Sequence, residues 1–128
     1  MNLFALIIGG FLGTISRYEL GRVILPLSNG FPLGTMIINL LGCLFLGWFL
    51  TITLIRWNIR PEIRLGIGTG FTGAFTTFST FSIETITLIQ KHHVELAIVY
   101  MVISIAGGIA FSAIGYTLAK ATKRGGTA

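Results

Sequence analysis

The chain has 128 residues, of which 53% are hydrophobic and only 10% charged, with a mean hydropathy of +0.87. A water-soluble globule of this length needs far more surface charge, so the composition excludes one and indicates an integral membrane protein. The net charge of +5 does not point to nucleic acid either, because the nine Lys and Arg are spread along the chain instead of gathered into one patch with interleaved aromatics.

The first apolar segment, residues 2–16, extends past Arg17 toward Arg22 with those guanidiniums snorkelling or facing protein and water, which predicts a helix over 2–22. It lacks a basic n-region and an Ala-x-Ala-like cleavage site, and so reads as a retained membrane helix. Gly9 and Gly13 form a G-x-x-x-G that suits close helix packing. Residues 25–32 concentrate turn formers, and Pro32 suits the opening turn of a second helix over 33–55. Inside that helix Asn39 sits in an apolar run, where an amide must use its donors and acceptor. It either offers protons to an anion without trapping it, being neutral, or joins two helices by hydrogen bonds. Cys43 has no second cysteine and no His at ligand spacing, which leaves neither a disulfide nor a zinc site.

A short basic loop, residues 56–64 with Pro61, leads to a third predicted helix over 65–89. Its stretch 66–82, GIGTGFTGAFTTFSTFS, holds four glycines, four phenylalanines and a dense run of hydroxyls. In hydrocarbon every such group needs a partner, so this stretch must face protein, water or an ion. Residues 68–73 match G-x-G-x-x-G formally, but no strand precedes them and no βαβ unit surrounds them, which rules out a dinucleotide site. The glycines predict a helix that is easily interrupted, and an interruption exposes carbonyl oxygens suited to a small hard cation. An unbroken helix packed on its glycines is the plainer reading. Phe71, Phe75, Phe78 and Phe81 recur at three- and four-residue spacing among hydroxyls. Ring edges and O–H donors together can replace part of the water shell of a small anion. The same pattern also fits a packing stripe whose hydroxyls bond back to their own helix.

Residues 90–95, with His92 and His93 solvated, connect tightly to a fourth predicted helix over 96–119, where Tyr100, Ser104 and Ser112 fall on one face with Gly108 in the gap. Short connections predict alternating helix directions, with both termini on one side. That side carries Arg56, Arg60, Arg64, Lys120, Lys123 and Arg124, against Arg17, Arg22 and Lys91 on the other, a modest bias that places the termini in the cytoplasm. Glu19, Glu62 and Glu95 lie at ends or loops, and Glu84 is read toward the end of the third helix. A proton-coupled carrier needs a coupling acid in the membrane, for which only Glu84 is available. No nucleophile–base or acid pair is present, hence no enzyme.

At GGFLGTISRY (9–18), GTMIINLLG (34–42) and GFTGAFTTFSTFSIE (70–84), over nearly the whole chain, the sequence resembles the small bacterial fluoride channels called Fluc or CrcB. The resemblance implies one transmembrane domain over 1–128, all helical, with four membrane helices and the third broken mid-membrane. It implies an antiparallel dual-topology dimer in lipid, with two fluoride pathways along the interface. It further implies fluoride contacts from Asn39, ring edges from Phe78 and Phe81 with Ser79 and Thr80 nearby, and a hydroxyl track of Tyr100, Ser104 and Ser112. Gly108 departs from that track where another hydroxyl is often found, and a water molecule can fill the gap. Arg17 would attract anions to a vestibule, and carbonyls of Gly73 and Thr76 would hold a central sodium ion. The six-to-three basic bias is intermediate between homodimers and heterodimers of oppositely inserted chains; a homodimer is the expectation. The function expected is passive fluoride export across a bacterial inner membrane, with a small dual-topology multidrug or cation transporter as the alternative.

Overall fold

The computed structural model describes residues 2–124, with backbone only for Asn2, Lys123 and Arg124. Met1 and residues 125–128, the extremities of the expected 1–128 domain, lie outside the described residues. Every regular element described is helical: α1 (Asn2–Val23), α2 (Leu33–Ile55), α3 (Pro61–Leu65), a π-helical segment Gly66–Phe71, α4 (Thr72–Phe75), α5 (Phe78–Gln90) and α6 (Val94–Arg124). Three helices are long and apolar enough to cross a membrane: α1, α2 and α6. Their outward faces carry Phe4 and Phe11 on α1, Leu41 and Leu54 on α2, and Val102 and Ile109 on α6, all exposed apolar side chains.

Contacts fix the direction of each pass. Gly66 meets Ala5, Gly70 meets Leu6, and Phe71 meets Gly13, so α1 and the π segment run the same way. Gly107 meets Leu40 and Arg56 reaches Thr122, so α2 and α6 are also parallel to each other. Because Ala5 adjoins Gly66 and Thr122 adjoins Arg56, both ends of the described chain lie at one end of the bundle. Pro32 stands at the N-cap of α2 and Pro61 opens α3, positions where a missing N–H leaves no bond unmade.

The glycines act where backbones touch. A Cβ on Gly9 would overlap the Gly66 carbonyl, and one on Gly13 the Phe71 carbonyl. The helix facing them is wound wide, and Thr72 donates its hydroxyl to the Ile67 carbonyl five residues back at 3.2 Å, a π-type reach.

The third span, expected over 65–89 with an interruption, leaves helical geometry at Thr76 (ψ 160°) and Thr77 (φ −148°, ψ 123°). Two adjacent β-branched residues weaken the helix there. Thr77 Oγ1 then accepts the Thr80 N–H at 3.3 Å and starts α5 as its N-cap. The phenylalanines are consequently divided and do not form one stripe. Phe71 stacks on Phe75 before the break, and Phe78 leans on Phe81 after it, with centroids 5.9 and 5.7 Å apart.

At the far end of α5, the His92 N–H bonds to the Ile89 carbonyl and the His93 N–H to that of Leu88, while His92 takes φ 61°. This left-handed helix stop favours glycine. His92→Gly is therefore expected to raise stability by about 0.5–1 kcal/mol, read as a higher melting temperature in detergent; an unchanged or lower value would show the turn is unstrained.

Candidate functional site

Asn39 is delivered by α2 to the break between α4 and α5. Its Nδ2 donates to the Thr77 carbonyl at 3.0 Å, and its Oδ1 accepts the Thr77 N–H at 2.8 Å. One side chain thereby satisfies both backbone groups of a residue that has left the helix. The Thr77 N–H no longer serves the Gly73 carbonyl four residues back, and the second amide proton of Asn39 has no partner among the described residues.

A cavity of about 540 Å³ opens beside this bridge and gathers Asn39, Gly73, Thr76, Phe78 and Ser112. A Cβ on Gly73 would meet nothing within 4 Å, so its Cα faces open space. Across the break lies a second cavity of about 360 Å³, where Arg17 comes together with Thr35, Thr77 and Thr80. Ser79 and Thr80 are exposed, and both hydroxyls are within reach of Thr77 Oγ1, at 3.3 and 3.1 Å.

The ring of Phe78 is 79% exposed, whereas Phe81 turns inward to lie 4.9 Å from Tyr100. Tyr100 is 0% exposed and meets Phe31 edge-on at 5.6 Å. The resemblance groups it with Ser104 and Ser112 in a hydroxyl track. Here its hydroxyl is committed, donating to Glu84 Oε2 at 2.8 Å, while Thr35 Oγ1 donates to Oε1 at 2.8 Å. The stripe of α6 packs toward α2: Ser112 Oγ donates to the Cys43 carbonyl at a long 3.4 Å, and a Cβ on Gly108 would touch the Cys43 sulfur. Ser104 Oγ is buried without a hydrogen-bond partner among the described residues. A buried hydroxyl left in that state calls for an unseen water or ion.

Other hydroxyls do serve their own helix. Thr76, Ser82, Thr85 and Thr87 each donate to the carbonyl four residues back. Sequence reasoning gave no specific role to Thr35 or Thr77 and weighed Glu84 only as the coupling acid of a carrier. Thr35 lies one helical turn before Asn39, a signal that was legible; Glu84 was read toward a helix end and instead occupies the middle of α5. Neither cavity is lined by an acid.

The family described as "CrcB-like protein, Camphor Resistance (CrcB)" matches residues 4–116. The chain is 52% identical over 113 residues to a protein of Bacillus cereus named fluoride-specific ion channel FluC 1, covering 87% of this chain and 78% of that one. It is 51% identical over 116 residues to FluC 1 of Moorella thermoacetica, covering 90% and 83%. To the fluoride-specific ion channel FluC of a Synechococcus species it is 42% identical over 118 residues, 91% of each. Since the matched region runs from α1 through most of α6 and contains every residue of both cavities, the chain belongs to the CrcB-like family.

Proposed function

We propose that this chain forms a passive, fluoride-selective channel, and the observation that carries the proposal is the Asn39–Thr77 bridge at the helix interruption, set beside the Phe78 and Phe81 rings. Fluoride is small and strongly hydrated, so a selective path must replace its water with oriented neutral donors. Arg17 and the Thr80 hydroxyl draw the anion into the smaller cavity. The edges of Phe78 and Phe81, the spare amide proton of Asn39 and the hydroxyls of Ser104 and Ser112 then meet it in turn, with Ser79 beside the entrance. Tyr100 contributes its ring, since its hydroxyl is held by Glu84. Cations find no acid in the lining of either cavity. No catalytic step is involved.

The span from α3 through α5 makes the fourth membrane crossing, broken at Thr76–Thr77. The larger cavity is open on one side, and a second, oppositely oriented copy closes it, giving an antiparallel homodimer in a bacterial inner membrane with the basic end favouring the cytoplasm. Pairing with an oppositely inserted relative would close it in the same way. Sodium, if bound between the copies by carbonyls of Gly73 and Thr76, supplies a fixed positive charge at the centre.

Reconstituted into liposomes, the protein is expected to release fluoride to an ion-selective electrode while chloride release stays at the protein-free background. Equal release of both anions would overturn the proposal. Uptake of an organic cation driven by a proton gradient would favour the multidrug carrier instead.

A further inference from the structure

We propose that the trough bounded by α1, α2 and the segment from α3 to Phe71 binds an anionic phospholipid, with Arg60 and Arg64 holding the phosphate. The trough has a volume of about 440 Å³, and no polar atom surfaces in it; Ala5, Ile8, Leu12, Phe45, Ile63 and Phe71 line it. A second apolar trough of about 500 Å³ shares Phe45 and Phe71 with the first and reaches Trp48 and Leu118. Two apolar troughs side by side, divided by Phe45 and Phe71, suit the two acyl chains of one phospholipid.

Two arginines adjoin Ile63, the α3 residue that lines the first trough. The N–H groups of Ile63 and Arg64 both bond to the Arg60 carbonyl at 3.1 Å, a helical turn that sets Arg60, Ile63 and Arg64 on one face. Arg60 and Arg64 therefore stand one turn apart on α3, next to Ile63, which lines the trough. Arg64 is half-buried and has no acidic partner among the described residues, and Arg60 is paired only loosely, with Glu62 at 3.6 Å. The nearby Arg56 is otherwise engaged, donating to the Thr122 carbonyl at 2.7 Å. A guanidinium fork matches a phosphodiester better than a lysine does, and basic side chains at a membrane surface select anionic lipid. Trp57 stands edge-on to Trp48 at 5.5 Å, in the manner of rings at the headgroup level.

A second protein copy is the competing occupant. Phe45 and Trp48 lie on the side of α2 opposite Asn39, Cys43 and Leu46, which line the cavity at the helix break. A copy closing that cavity leaves the troughs facing lipid.

The test uses the full-length protein in detergent, given phosphatidylglycerol or phosphatidylcholine with identical acyl chains, and reads bound lipid by native mass spectrometry. Phosphatidylglycerol should be retained roughly tenfold more strongly than phosphatidylcholine. The double variant Arg60→Gln/Arg64→Gln should erase that preference, and Ile8→Trp, which fills the trough, should lower retention of both lipids with the oligomeric state unchanged. Equal retention of the two lipids by the unaltered protein, or undiminished preference in the double variant, would overturn the proposal. So would loss of the dimer in Ile8→Trp with lipid retention intact, which would put a second copy in the trough. None of these readouts involves ion flux, so the lipid site and the channel can fail separately.

Discussion

Replacing Asn39 with alanine is expected to abolish fluoride efflux and to lower the unfolding free energy by about 2 kcal/mol. The side chain makes two bonds to one peptide, at 2.8 and 3.0 Å, where the chain has left the helix and cannot satisfy itself. A buried group stripped of its partner costs about 1–3 kcal/mol, whereas hydrogen bonds between membrane helices average about 0.6 kcal/mol because the unfolded chain finds substitutes. Two bonds at one interruption place the loss between these limits. The variant also lacks the amide proton assigned to the anion, so efflux should fall more than stability alone explains. An Asn39→Ala protein that melts and conducts like the unaltered one would remove the bridge from both roles.

Phe81→Ile is expected to reduce fluoride efflux roughly tenfold and to cost about 1 kcal/mol of stability, since an aromatic pair contributes about 0.5–1.5 kcal/mol and each 1.4 kcal/mol is a factor of ten. Phe81 stands between Phe78 at 5.7 Å and Tyr100 at 4.9 Å, so isoleucine keeps apolar volume there and removes the ring edge. Phe78→Ile separates conduction from packing. Its ring is 79% exposed, so stability should change by less than about 0.5 kcal/mol while efflux falls comparably. Efflux unchanged in both variants would take the rings out of the path; efflux lost only in proportion to melting temperature would make them packing residues.

The two substitutions bear on different kinds of legibility. Phe78, Phe81 and Asn39 were visible as candidates because polar and aromatic groups crowded into an apolar span require a reason. The chemistry of Asn39 was visible too, as an amide that must be satisfied. What it satisfies was not, since Thr77 lies 38 residues away and only the packing of α2 on the break joins them. Glu84 illustrates the reverse. Its carboxylate was visible, but the two neutral donors that engage it come from α2 and α6, and no local pattern links residues 35, 84 and 100.

Composition and periodicity alone determined that this is a membrane protein built from apolar helices, because hydrocarbon imposes length and hydrophobicity on every spanning segment. They also marked the glycine- and hydroxyl-rich stretch as the place where those rules are broken. Only the tertiary structure decided where the third span departs from the helix, which hydroxyls are spent on their own carbonyls, and that Tyr100 is enclosed with its hydroxyl on Glu84. The physical reason is the range of the forces involved. Hydropathy and helix propensity act within a turn or two of the chain, whereas satisfying a buried polar group depends on which distant segment packs against it.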